Sequence, residues 1–154
     1  MKTTIYVDAD ACPVKREIYR VASRYSLPVV LVSNSWMRIP DSSRITLVVV
    51  DTGENVADDW IADNSGEGDI VITGDIPLAD RCLKAGALVL GHTGRPFDER
   101  NIGSALSMRN LLHDLREQGM ITGGPAPFAK TDRSRFLQEL DKMVVQLKKS
   151  SGST

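Results

Sequence analysis

The sequence predicts an α/β fold, a three-layer sandwich with a mainly parallel central sheet and helices at its C-terminal end. Short, continuous runs of valine, isoleucine and leucine alternate with segments of helical periodicity, a pattern typical of parallel strands buried on both faces. From Asn101 onward the pattern is helical throughout. The chain has 154 residues, of which 42% are hydrophobic and 25% charged, a size and composition typical of one globular domain.

Three predicted strands lie in the first third of the chain. Ile5–Val7 is the first strand, and Pro13 suits the first turn of the helix that follows. Apolar residues recur behind it at helical spacing: Val14, Ile18, Val21 and Ala22. The second and third strands are predicted at Leu27–Ser33 and Ile45–Val50, joined by a polar loop over residues 35–43.

Two further strands follow, each after a break in the pattern. Asn55–Ala62 is predicted to be a helix, and Asp69–Thr73 a fourth buried strand. Pro77 opens the next helix, Ala87–Leu90 is a fifth strand, and a loop is expected over residues 91–96.

Helices are expected in the last third of the chain. One begins near Asn101 and another near Arg133, with a glycine- and proline-rich connection over residues 119–127. We expect a single domain over residues 1–147 and a flexible C-terminal tail over residues 148–154.

Several classes of protein are unexpected from this composition. The longest apolar runs are far shorter than a membrane span, and the N-terminus runs straight into a strand without room for a signal peptide. The two cysteines, Cys12 and Cys82, give neither a disulfide framework nor a zinc cluster. We therefore expect a cytoplasmic protein with reduced thiols, in which Cys12 is a small buried residue rather than a nucleophile.

The net charge of −1 hides an asymmetry along the chain. Residues 1–80 contain 7 Lys and Arg against 13 Asp and Glu, whereas residues 81–154 contain 12 against 7. An acidic half joined to a basic half suits a metal-binding site beside a surface that binds anions, although such a division also arises by chance.

Acidic residues follow the predicted strands at the positions where parallel sheets bind their ligands. Asp8 and Asp10 follow the first strand, Asp51 the third and Asp75 the fourth. Three more acids lie in the following helices, close enough in sequence to reach the same edge: Asp58, Asp59 and Asp80. Crowded carboxylates repel one another, and Mg²⁺ or Mn²⁺ is the usual compensation because both ions prefer oxygen ligands.

Structural roles compete with this interpretation for some of the acids. Asp10 is placed to cap the helix that follows it, and Asp58 or Asp59 suits the positive end of a helix dipole. Asp80 suits a solvated helix surface. Asp8 and Asp75 directly follow buried strands, and for them a function is favoured.

One resemblance is to the haloacid-dehalogenase type of phosphatase. Tyr6–Asp10 resembles its nucleophile motif, Val32–Asn34 its second motif, and Gly74–Asp80 its acidic GDxxxD motif. That family also needs a lysine between the second and the acidic motif, and this sequence has none there. The resemblance would imply a phosphatase that forms a phosphoenzyme on Asp8.

A second resemblance covers nearly the whole chain. Four segments resemble the YaiI/YqxD family of small uncharacterised bacterial proteins, which is similar to a branch of the PIN-like nuclease superfamily: Val7–Val14, Ala57–Ile61, Ile70–Ala79 and Gly124–Phe128. The resemblance implies a Mg²⁺ or Mn²⁺ site held by Asp8, Asp58 and Asp75. It places Asp10, Asp59 and Asp80 beside them in a catalytic cluster, and the choice between Asp58 and Asp59 is its weakest part.

The basic half supplies candidate contacts to nucleic acid. The candidate phosphate ligands are Arg109, Lys130, Arg133 and Arg135. Thr131 or Asp132 is placed to cap the helix expected near Arg133, and a helix N-terminus attracts phosphate. Trp36 and Phe128 are candidates for stacking on unpaired bases, although loop aromatics more often pack onto the core. A solvated basic helix face is the alternative.

Together these features predict a metal-dependent nuclease that acts on RNA, with water as the nucleophile and no membrane partner. Two alternatives stay open: a non-catalytic module that binds RNA or nucleotide in the same cleft, and the phosphatase.

Overall fold

The computed structural model describes residues 3–120 and 128–152 and contains a six-stranded sheet. The strands are β1 (Ile5–Asp8), β2 (Val29–Ser33), β3 (Ile45–Val49), β4 (Ile70–Ile72), β5 (Leu88–Leu90) and β6 (Pro96–Phe97). Their order is β3-β2-β1-β4-β5-β6, with β1 to β5 parallel and β6 antiparallel at the edge. The predicted α/β fold with a mainly parallel sheet is confirmed.

Five helices in the described residues cover the two faces of the sheet. They are α1 (Lys15–Tyr25), α2 (Val56–Asn64), α3 (Ile76–Lys84), α4 (Ile102–Glu117) and α5 (Lys130–Gly152). One face packs against α1 and α5, and the other against α2, α3 and α4. The arrangement is the predicted three-layer sandwich.

The strands carry apolar side chains on both faces because both faces are covered. Ile5 and Val7 of β1 and Ile70 and Ile72 of β4 are fully buried in the cluster formed with α1 and α5. Val71 points to the opposite cluster, formed with α2, α3 and α4. Alternate residues of one strand therefore stabilise different layers.

The C-terminal helix α5 is held at its start by three segments. Arg133 Nη1 donates to the carbonyl oxygen of Pro13 at 2.9 Å and to Glu17 Oε1 at 2.8 Å. Arg135 Nη1 lies 3.4 Å from the carbonyl oxygen of Thr93, in the turn between β5 and β6. The backbone at Gly94 approaches so closely that a Cβ there would lie 2.7 Å from backbone atoms of Arg135 and Phe136. The first turns of α5 therefore lie near the carboxyl ends of β1 and β5.

One strand and several boundaries differ from the sequence predictions. β6 was not predicted, because a two-residue edge strand that begins with proline has no periodicity to detect. α1 begins at Lys15, after a turn that contains Pro13. α5 begins at Lys130, before Arg133, and continues through Gly152. In the expected tail, the Lys148 ammonium lies 5.0 Å from the centre of the Tyr25 ring.

The predicted connection over residues 119–127 falls largely on residues 121–127, outside the described residues. Among the helices that are described, none is both long enough and apolar enough to cross a membrane.

Gly94→Ala tests how closely α5 docks on the turn after β5. Gly94 has φ +86, and its Cβ would meet the backbone of α5, whereas Gly119 has φ +73 and no atom of the described residues within 4 Å of a Cβ. We expect Gly119→Ala to lower the free energy of unfolding by about 1 kcal/mol, the cost of a left-handed alanine. Gly94→Ala should cost about 3 kcal/mol, because the clash adds to it. Urea unfolding measures both, and equal losses would contradict the close approach.

Candidate functional site

Four acidic side chains lie where the parallel strands end. Asp8 ends β1, Asp10 lies in the turn just after it, Asp75 lies between β4 and α3, and Asp58 lies in the first turn of α2. We refer to Asp8, Asp10, Asp58 and Asp75 as the acid cluster. Strands β1 and β4 are neighbours, yet the chain leaves them toward opposite edges of the sheet, to β2 and to β5. Such a switch point is where open α/β sheets bind ligands.

Asp8 is held by a hydroxyl group from the neighbouring strand. Thr73, the residue after β4, is fully buried, and its Oγ1 donates to Asp8 Oδ2 at 2.9 Å. The same Oγ1 accepts the backbone N–H of Asp75 at 3.0 Å. One hydroxyl therefore fixes the carboxylate of Asp8 and the backbone that carries Asp75.

Asp75 is the N-cap of α3. Its Oδ1 accepts the backbone N–H of Leu78 at 3.0 Å, and Pro77 lies in the first turn, where a missing N–H costs nothing. The helix thus orients the carboxylate through one oxygen. Its other oxygen accepts no hydrogen bond from the described residues.

Asp10 is held in the same way as Asp8, on the other side of β1. Ser33, fully buried at the end of β2, donates its hydroxyl to Asp10 Oδ1 at 2.7 Å, and the N–H of Asn34 donates to Oδ2 at 3.0 Å. The Ser33 hydroxyl accepts the N–H of Ser35 at 3.2 Å. Asp10 therefore fixes the loop after β2 and does not cap α1, whose N-cap is Val14.

The two adjacent acids of α2 have different surroundings. Asp58 is half-buried and close enough to Asp75 for that charge to raise its pKa. Asp59 forms an ion pair with Arg81 of α3, Nη1 to Oδ1 at 2.7 Å, and its side chain is 60% exposed. The structure therefore favours Asp58 over Asp59 as the member that faces Asp8 and Asp75.

Repulsion and burial both act on the acid cluster. Burial raises the pKa of Asp8 to about 6, the Thr73 hydrogen bond opposes this rise, and the charges of Asp58, Asp75 and Asp10 add to it. Burial is also the main reason that the pKa of Asp58 is raised. The charged neighbours that most affect the pKa of Asp8 are all negative. A bound cation would relieve this repulsion.

The other predicted acids have different partners. Asp80 pairs with Lys84 one turn along α3, Oδ2 to Nζ at 2.9 Å. Asp51 is exposed after β3, where its carbonyl oxygen accepts from Asn34 Nδ2 at 3.1 Å. In the part of the chain that the structure describes, no three Asp, Glu, His or Cys side chains are arranged to hold one metal ion together. Asp8, Asp58 and Asp75 are neighbours but not a preformed set of three ligands.

Comparison with known proteins identifies the chain. The profile described as "Uncharacterized BCR, YaiI/YqxD family" matches residues 6–146. The chain belongs to the YaiI/YqxD family. A UPF0178 protein of Caulobacter sp. (strain K31) is 56% identical over 147 residues, which cover 96% of this chain and 97% of that one. One from Azorhizobium caulinodans is 55% identical over 151 residues, covering 98% and 95%. No solved structure matches.

Sequence analysis missed the hydrogen bonds that two hydroxyl groups of this YaiI/YqxD protein donate to the acids, although Ser33 lies in the segment that resembles the second motif of the phosphatase. Thr73 and Ser33 end buried strands, where a hydroxyl resembles any other strand residue. The available signal was that each is a polar residue at the end of an apolar run, one or two positions before a polar loop residue. Ala11, between the acids and Cys12, was also missed: its φ of 59° is a strained, left-handed conformation, of the kind that occurs at functional sites.

His92 packs behind the acid cluster. Its Nδ1 would lie 3.3 Å from a Cβ at position 74, so a side chain there would require the ring to give by a few tenths of an ångström. Burial lowers the pKa of His92, which keeps the imidazole neutral at pH 7. Its Nε2 is buried without a hydrogen-bond partner among the described residues.

The predicted phosphate ligands are divided between two layers. Arg109 is exposed on α4, whereas Lys130, Arg133 and Arg135 are on α5, across the sheet. Arg133 pairs with Glu17, so it stabilises the docking of α5. Lys130 is exposed at the start of α5.

The N-terminus of α5 also differs from the prediction. Asp132 lies inside its first turn, where Oδ2 accepts the N–H of Ala129 at 3.0 Å and Oδ1 lies 3.4 Å from Arg135. Neither Thr131 nor Asp132 begins the helix, and a carboxylate of the chain already occupies this end.

Two aromatic side chains that were candidates for base stacking have opposite placements. Phe128 is half-buried against the core, with the Arg133 guanidinium 5.0 Å from its ring centre. Trp36 is 76% exposed. Cys12 is buried, as the sequence predicted, and burial raises its pKa to about 11, which keeps the thiol protonated.

Asp8→Asn tests whether repulsion within the acid cluster lowers the stability of the folded protein. Because the pKa of Asp8 is raised from 3.8 to about 6, the folded state binds more protons than the unfolded state between these values. Stability is therefore lost as the pH rises through this window and stays lost above it. With EDTA at pH 7.5, Asp8→Asn should raise the free energy of unfolding by about 1–2 kcal/mol, after allowance for solvent screening of the partly exposed carboxylate.

The gain should shrink as the pH is lowered from 6 toward 4, as measured by urea unfolding. Asp63→Asn, on the exposed side of α2, is the control and should change the free energy by less than about 0.5 kcal/mol at each pH. A loss of stability in Asp8→Asn at pH 7.5 would contradict the electrostatic account.

Proposed function

We propose that this YaiI/YqxD protein is a metal-dependent phosphodiester hydrolase of PIN-like type that acts on RNA. The observation that carries the proposal is the acid cluster at the switch point of the sheet, where Asp8 and Asp75 share the Thr73 hydroxyl. Asp8 is oriented through one oxygen by Thr73 of the neighbouring strand, and Asp75 through one oxygen by the helix that it caps. The other oxygen of each carboxylate accepts no hydrogen bond from the described residues and is available to a ligand.

The donor set fits Mg²⁺ or Mn²⁺. All members are carboxylates, which are the hard oxygen ligands that these ions prefer. Mg²⁺ is usually held by one or two carboxylates, with water and substrate phosphate completing its shell, so a preformed set of three protein ligands is not required. Asp8 and Asp75 would hold the ion, with Asp58 beside them.

A bound ion of this type would lower the pKa of a coordinated water and offset the charge of the phosphate. The chain contributes orientation. Thr73 fixes Asp8, the N-cap bond to Leu78 fixes Asp75, and Ser33 fixes Asp10 at a distance from α1. Asp10 and Asp58 are then placed to accept a proton from water.

The same geometry weighs against a phosphatase that forms a phosphoenzyme on Asp8. Such an intermediate would add negative charge beside Asp10, Asp58 and Asp75, which are the charges that most affect the pKa of Asp8. The missing lysine of that family's pattern has no substitute among them.

Cleavage of a fluorescein-labelled single-stranded RNA tests the proposal. With Mn²⁺ we expect cleavage that EDTA abolishes. Asp8→Asn and Asp75→Asn should each lower the rate about 100-fold or more, because each removes an oxygen ligand for the ion. Asp58→Asn should lower it more than Asp59→Asn, since Asp59 is engaged by Arg81.

Asp63→Asn is the matched control on α2 and should keep the wild-type rate. RNA binding without cleavage under any of these conditions would overturn the proposal in favour of a non-catalytic RNA-binding module. A phosphoenzyme that is lost in Asp8→Asn would overturn it in favour of the phosphatase.

A further inference from the structure

The loop after β2, which is bonded to Asp10 of the acid cluster, exposes an indole ring. The backbone N–H of Asn34 donates to Asp10. Trp36 follows Asn34 by two residues, so the Cα atoms of Asn34 and Trp36 lie within about 8 Å of each other. Trp36 is 76% exposed, the largest exposed fraction among the large hydrophobic side chains of the described residues. A single exposed hydrophobic side chain is common on protein surfaces, so a role for Trp36 must be argued from the residues around it.

The segment that carries Trp36 is fixed on both sides. Before it, Ser33 and Asn34 bond to Asp10; after it, Met37 and Ile39 pack against the core. Pro40 also restricts Ile39 to an extended conformation. The indole is therefore presented outward by an ordered backbone rather than by a loop that could fold it inward.

Exposure alternates along residues 36–39. Trp36 and Arg38 are exposed, whereas Met37 and Ile39 are half-buried. This alternation places Trp36 and Arg38 on the outer side of the segment, and residues two apart have Cα atoms within about 8 Å of each other. In the described part of the chain, Arg38 forms no ion pair and no ring covers Trp36.

An aromatic ring beside a free cation is the combination that binds single-stranded nucleic acid. Unpaired bases stack on aromatic side chains whatever their sequence, and cations hold the phosphates. A polyanion can approach the acid cluster only where positive charge offsets the repulsion, and Arg38 is an exposed cation in the loop that is bonded to the cluster.

We propose that Trp36 and Arg38 form a subsite for single-stranded nucleic acid, in which the indole stacks on an unpaired base and the guanidinium binds a neighbouring phosphate. This inference rests on the proposed function, since it defines the substrate class of the same site. It makes Trp36 a determinant of single-strand preference, because paired bases offer no free face to the ring.

Fluorescence anisotropy with a labelled 12-nucleotide oligouridylate tests the subsite, using the full chain with EDTA so that cleavage does not interfere. Trp36→Ala should raise Kd roughly 5- to 100-fold, the range expected for loss of one stacked base. Trp36→Phe should retain most of the affinity, and an RNA duplex should bind no more weakly to Trp36→Ala than to wild type.

Met120→Ala is the matched control, since Met120 is 69% exposed but lies beyond α4. Arg38→Gln should reduce the slope of log Kd against log salt by about 0.7, the contribution of one phosphate contact to a single strand. The Kd of a labelled oligothymidylate, measured in parallel, shows whether the subsite prefers single-stranded RNA or single-stranded DNA.

Equal affinities of Trp36→Ala and Met120→Ala would overturn the subsite, as would the absence of wild-type binding up to about 100 µM. The outcome is distinct from that of the proposed function. If the protein cleaves RNA with Mn²⁺ but Trp36→Ala binds RNA as tightly as wild type, only the subsite is contradicted. If RNA binding depends on Trp36 but no cleavage occurs, only the hydrolase proposal is contradicted.

Discussion

Burial of both faces of the parallel sheet is the constraint on which the rest of the structure depends. Side chains within β1 and β4 must be apolar, as Ile5, Val7, Ile70 and Ile72 are, so polar groups can appear only where these strands end. Because the strands are parallel, those ends meet at one edge. The reversal of strand order between β1 and β4 opens that edge, and the acid cluster forms there.

The acid cluster costs stability that the remainder of the fold offsets. Asp8 is partly buried among negative charges, and Ala11 holds a strained conformation beside it. Buried hydroxyls and backbone N–H groups fix these carboxylates instead of neutralising them. Carboxylates that are held in fixed orientations while they still repel one another are typical of a site that binds a charged ligand, and they lower the stability of the fold.

The sequence was sufficient to predict the five parallel strands, most helices and the acids at the strand ends, because each follows from local periodicity and one rule about parallel sheets. It was insufficient for the partners of those acids. Thr73 and Ser33 look like strand residues until neighbouring strands are placed side by side. Arg133 looked like a phosphate ligand because Glu17, 116 residues away in sequence, gave no local signal.

Mn²⁺ titration calorimetry, with inorganic phosphate present, tests most directly whether the acid cluster is a cation site. Wild type and the Asp63→Asn control should show the same saturable binding, and the variant with both Asp8→Asn and Asp75→Asn should show none. Equal heats from wild type and the double variant would contradict the account, as would the absence of saturable binding to wild type.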